Sequence, residues 1–166
     1  MTVPVAAGYS RTQIALHWAV AALVAAQYLF NDAIAEAWSA YVKGTAALGF
    51  DPLVPAHVAG GVLILALVLW RIALRATRGT PPLPEREPPA LAVLARATHL
   101  AFYGVLIALS VSGALAWFAD VRPAAGAHNV LKVVLLALIV LHVLAVIFHQ
   151  SVLKTSVMRR MVRPGA

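Results

Sequence analysis

Six histidines, His17, His57, His99, His128, His142 and His149, all fall within or at the edges of long apolar runs. An ionisable ring at that depth is costly unless it faces a bundle interior and has a partner there. A single such ring is ordinarily an interfacial or hydrogen-bonded helix residue, whereas six at matched depths point to ligation. His128 and His142 are 14 residues apart, which on a helix is four turns less about 40° and about 21 Å along the axis. The two rings therefore face the same way near opposite ends of one span.

A low-spin b-type haem takes two axial nitrogens, so each of these rings needs a second imidazole at its own depth. His57 begins the second apolar run at the outer surface as His128 begins the fourth, and these two form an outer pair. His17 is about two turns into the first run and His142 is seven residues before the end of the fourth, and these two form an inner pair. The expected metal ligands are thus His17 with His142 and His57 with His128, holding two haem b groups. His99 and His149 remain near the cytoplasmic face, beside a haem or as quinone-binding groups. Arg71 and Arg75 stand at a helix end where a guanidinium can meet a propionate or snorkel to the headgroups. Gly60, Gly61, Gly104 and Gly113 permit close helix packing or close approach of a flat macrocycle. The chain has no cysteine, which excludes disulfides, thiolate metal sites and covalent c-type attachment. A zinc or di-iron centre would need carboxylates, and the four runs contain none.

The elements that must position these rings follow from composition. The chain has 166 residues, of which 62% are hydrophobic and 11% charged, too apolar for a water-facing surface. A helix of roughly 20 residues spans a hydrocarbon core, and four runs qualify, near 11–30, 55–76, 97–119 and 128–149. With their short connections they account for nearly the whole chain, so residues 1–166 read as one all-α domain, an integral membrane four-helix bundle. The first run reads as a mature helix, since Ala15-Leu16-His17-Trp18 lies inside it and no small-residue cleavage site follows. Ten of the 13 lysines and arginines lie at the start of the first run, at or between the facing ends of the second and third, or after the fourth; only Lys43, Arg122 and Lys132 fall on the other side. That asymmetry predicts cytoplasmic N and C termini in a bacterial inner membrane, and it assigns the net charge of +7 to topology and anionic lipid rather than to nucleic acid.

Between the first two runs, Ala33 to Leu48 predicts an amphipathic helix on the membrane with Trp38 and Tyr41 as anchors. The proline-rich stretch Gly79 to Pro89 predicts an extended connector. Asp120 to Gly126, with Pro123, predicts a short outer turn. Connections this short make sequential spans antiparallel neighbours.

Several motifs together resemble the bacterial cytochrome b561 family, which is related to the membrane cytochromes of nickel-iron hydrogenases. They are Tyr9-Ser10-Arg11 with Gln13-Ile14-Ala15-Leu16-His17-Trp18, His57-Val58-Ala59-Gly60 with Arg71, and Thr98-His99-Leu100-Ala101-Phe102-Tyr103. To these are added the His128–His142 spacing, His149, and the ending Met158-Arg159-Arg160-Met161. The resemblance covers essentially the whole chain. It implies non-covalent bis-histidine haems exchanging electrons with ubiquinone and, from the best-described small members, an outer donor such as superoxide. Lys132, one turn after His128, and Arg122 are the basic residues that would carry that outer chemistry. The alternative is an electron-transfer subunit docked to a periplasmic hydrogenase or dehydrogenase, which would present larger outer contacts than these modest loops.

Overall fold

The computed structural model describes residues 8–45, 49–82, 88–155 and 157–165. Among them are six helices: α1 (Arg11–Leu29), α2 (Asn31–Lys43), α3 (Leu53–Arg78), α4 (Pro89–Ala119), α5 (Arg122–Ser151) and the single turn α6 (Val157–Arg160). α1, α3, α4 and α5 are each long and apolar enough to cross a membrane.

Local chemistry sets the ends. Ser10 caps α1 reciprocally: its hydroxyl accepts from the Gln13 amide at 3.2 Å, and its own N–H donates to the Gln13 side chain at 2.9 Å. Pro88 and Pro89 enter α4, where a proline costs little because the first amides have no intrahelical partner. The same allowance corrects the expected outer turn. α5 already begins at Arg122, with Pro123 in its first turn and Gly126 inside the helix. The connection shrinks to Asp120, left-handed at φ 51, and Val121. α2 likewise starts two residues before the expected Ala33 and stops at Lys43, where Gly44 takes φ +63; Ala46 to Leu48 lie outside the described residues. So does the middle of the proline connector, residues 83–87, including Pro84 and Arg86.

α1 packs on α3, α3 on α4 and α4 on α5, in sequential order, while α2 leans on α3. The shared core is narrow, built from Val20, Val24, Ile64, Val68, Leu106, Leu109 and Leu135. Large apolar side chains cover the outside, with Val133 68% and Phe118 67% exposed. Such a surface suits lipid and not water. Two specific ties join the elements that sequence order leaves apart. The Tyr28 hydroxyl donates to the Lys132 carbonyl at 2.6 Å, closing α1 onto α5. At the far end the tail folds back: Trp18 Nε1 donates to Met161 O at 2.8 Å, Arg160 Nη1 to Pro82 O at 2.6 Å, and the Gly165 amide to Tyr9 O at 3.3 Å. The bundle thus has an α2 end and a tail end.

Candidate haem sites at the two ends of the bundle

At the α2 end a cavity of about 250 Å³ is lined by both His57 and His128, with Gly61, Ser110, Gly113 and Lys132 around them. His128 is held firmly. Its Nδ1–H donates to the Leu109 carbonyl at 3.0 Å, and the Ser112 hydroxyl, 3.3 Å from the same nitrogen, donates to that carbonyl at 3.1 Å. A carbonyl can only accept, so Nδ1 carries the proton and Nε2 keeps its lone pair. Gly113 makes room for this ring: a Cβ there would meet His128 Cε1 and Nδ1 at 3.2 Å. His57 is anchored through its backbone. Gln27 Nε2 donates to the His57 carbonyl at 3.0 Å, in space that a side chain at Gly60 would take from the Gln27 amide.

The sequence named four glycines here, and only Gly60 and Gly113 make close approaches; a Cβ at Gly61 or Gly104 would have open space. Lys132 lines the cavity and donates from Nζ to Asn31 Oδ1 at 2.8 Å. Arg122 does not line it. Its side chain is 59% exposed and lies 3.8 Å from Asp120. The two basic residues expected to carry the outer chemistry therefore occupy different places.

At the tail end His142 meets His99 edge-on, ring centroids 5.7 Å apart at 83°, and Phe102 at 5.5 Å and 84°. His99 is fixed by its Nδ1–H, which donates to Ala95 O at 2.6 Å. His17 interacts electrostatically with Arg71, His142 and His99, and the ring contact to His142, which sequence reasoning paired with His17, comes from His99. His149 stands where the chain bends out of α5. Its carbonyl accepts from the Thr155 amide at 2.9 Å and hydroxyl at 3.3 Å, and that hydroxyl is 3.4 Å from His149 Nδ1. Tyr9 is covered by the tail, and burial pushes its phenol above the usual value, opposed by the nearby positive charge of Arg75.

Two buried polar atoms lack a hydrogen-bond partner among the described residues: His57 Nδ1 and Arg71 Nη1. Buried orphans of this kind call for a partner. The Arg71 guanidinium nitrogen suits a carboxylate of a macrocycle, while His57 Nδ1 is the ring nitrogen that in His128 donates to the backbone, which leaves Nε2 of each ring for a metal. Orientation of His128 by a backbone carbonyl is the arrangement that fixes a ligating imidazole. No group of three or more histidines or carboxylates is gathered for a bare ion among the described residues. The donor set therefore fits haem, which needs only two axial nitrogens.

The family model for prokaryotic cytochrome b561 matches residues 8–164. The chain belongs to the prokaryotic cytochrome b561 family. Among its relatives is cytochrome b562 of Cereibacter sphaeroides, 33% identical over 95% of this chain and 96% of that one. Another, from Yersinia pestis, bears the name "Probable superoxide oxidase CybB" and is 28% identical over 92% of this chain and 94% of its own. Membership of the b561 family makes the chain a haem b membrane cytochrome whose work is electron transfer. The residues sequence reasoning missed are those that hold the ligand-bearing helices together: Gln27, Tyr28, Asn31 and Ser112. Gln27, an amide inside an apolar run, carries the one clear signal; the others take their meaning from partners on distant helices.

Proposed function

We propose that this cytochrome is a single-domain bacterial inner-membrane protein that carries electrons from a small outer donor, by family likeness superoxide, to ubiquinone. The observation that carries this reading is the separation of its imidazoles into two groups, His57 and His128 on one cavity and His142 with His99 and His17 at the other end. His57 and His128 hold one haem b, and His17 and His142 the other. Haem b at each pair supplies a one-electron carrier. His99, whose ring edge abuts His142, positions that ligand, and Arg71 offers its orphan guanidinium nitrogen to a propionate.

The basic tail end faces the cytoplasm by charge asymmetry, which sets the α2 end outside. There Lys132 attracts the anionic donor and Arg122, on the exposed rim, adds to the positive field. At the tail end His149 hydrogen-bonds a quinone carbonyl, with His99 beside it.

The test is haem stoichiometry by pyridine haemochrome against protein mass, followed by stopped-flow mixing with superoxide in the presence of quinone. Two haems per chain and rapid reduction by superoxide are expected. A ratio near one overturns the pairing, and inertness toward superoxide overturns the donor.

A further inference from the structure

The chain beyond α5 sorts its side chains onto two faces. Lys154, left-handed at φ 51, turns the chain out of the helix. α6 and the turn after it then form one short coil, in which the Val162 and Arg163 amides both donate to the Arg159 carbonyl, at 3.1 and 2.8 Å. Val157, Arg160 and Met161 are part-buried, whereas Met158, Arg159, Val162 and Arg163 are exposed. Helical spacing explains the division, since residues four apart share a face. The inner face is engaged with the bundle: Arg160 Nη1 donates to Pro82 O, and Met161 O accepts from Trp18. The outer face sets two arginines beside a methionine and a valine.

The Trp18 bond fixes the depth of this surface. Trp18 comes seven residues after Arg11, the first residue of α1, which is about 10 Å along the axis. Its ring is 47% exposed on the apolar outside of the bundle. A tryptophan near the end of a span, with its N–H hydrogen-bonded, marks the boundary between acyl chains and headgroups. The Met161 carbonyl bonded to that indole lies at the same level, so the coil runs along the bundle where lipid meets water. Its exposed face continues the lipid-facing surface at the end of α5, where Val152 is also exposed. At such a depth apolar side chains enter the acyl boundary, and arginines extend from it to the phosphates.

We propose that residues 157–163 form a clasp that binds anionic lipid. Arg159 and Arg163, one turn apart, hold the headgroup of an anionic phospholipid by charge-assisted hydrogen bonds, while Met158 and Val162 enter the acyl boundary. Binding on the outer face keeps the inner face on α1 and the proline connector. The clasp takes no part in either haem site, and it acts whatever the electron donor is.

The test uses the full haem-loaded chain in nanodiscs that hold one copy each, made of phosphatidylcholine alone or of an equal mixture with phosphatidylglycerol. Hydrogen exchange is read by mass spectrometry over residues 157–165. It is scored relative to the loop amides 49–51 at the α2 end, which corrects for the lower pH at an anionic surface. Each arginine near such a surface favours the bound state about fivefold, so the parent tail should exchange about tenfold or more slowly in the anionic discs, and added salt should narrow the difference. Arg159→Gln combined with Arg163→Gln should abolish the difference without disturbing the bonds of Arg160 and Met161, and Lys43→Gln, at the α2 end, should preserve it.

Equal exchange of the parent tail in the two lipids would mean that the chain alone holds it, and overturns the proposal. So would a lipid difference that survives the double arginine variant. Protection that arises only in discs carrying two copies would make this face an interface between copies instead.

Discussion

The Nδ1–H of His128 is directed at the carbonyl oxygen of Leu109, 3.0 Å away on the neighbouring helix. This one bond selects the tautomer, aims Nε2 and ties α5 to α4. It holds the proposed ligand against rotation toward lipid.

Deleting a ligand should therefore act at one end only. His128→Ala is expected to halve the haem content and spare the spectrum of the tail-end site, and His142→Ala to do the reverse. Reduced-minus-oxidised spectra with haemochrome quantification check this; a mutant that keeps both low-spin centres contradicts the assignment.

The three imidazoles at the tail end can be told apart in the same way. His17→Ala and His142→Ala should lose the same haem. His99→Ala should keep it while shifting its midpoint potential, because the ring beside His142 has gone. If His99→Ala loses the haem and His17→Ala retains it, His99 is the partner of His142.

Gly113 is the narrow place behind His128. A methyl there would sit 3.2 Å from two ring atoms, so Gly113→Ala must push the imidazole by a few tenths of an ångström, and Gly113→Val further. Weakened haem retention, graded with side-chain size, is expected at the α2 end. Gly104→Ala, with open space around it, is the matched control and should be neutral or slightly stabilising, by up to about 1 kcal/mol from helix propensity. Thermal unfolding in detergent and haem content measure both.

Gln27 and Gly60 should be coupled. Either Gln27→Ala or Gly60→Ala removes the bond to the His57 carbonyl, and an interhelical hydrogen bond in a membrane protein is worth about 0.6 kcal/mol on average and up to about 1.7. The double mutant should cost no more than Gln27→Ala alone, since the added methyl then meets no amide. Additive losses in a double-mutant cycle would show that the two positions act separately.

His149→Ala should slow ubiquinone reduction and leave both haem spectra intact. Loss of a haem in this mutant would make His149 a ligand; an unchanged quinone rate would put the acceptor site elsewhere.

Much of this protein is determined by the sequence alone, because lipid leaves the chain few choices. A backbone without water must satisfy its own hydrogen bonds, so four apolar runs of sufficient length become four helices, and short connections make them sequential neighbours. The depth of each histidine follows from its position along a helix of fixed rise. His57 and His128 are matched by that depth alone, and both line one cavity. Rotation about the helix axes and contacts between chain-distant residues follow no such rule.

Only the tertiary structure decided that Leu109 orients His128, that the ring set edge-on to His142 is His99, and that Lys132 enters the cavity while Arg122 stays with Asp120 on the rim. The start of α5 is a case between the two. Pro123 and Gly126 carry the composition of a turn, yet proline is tolerated in the first turn of a helix, and the helix runs back to Arg122.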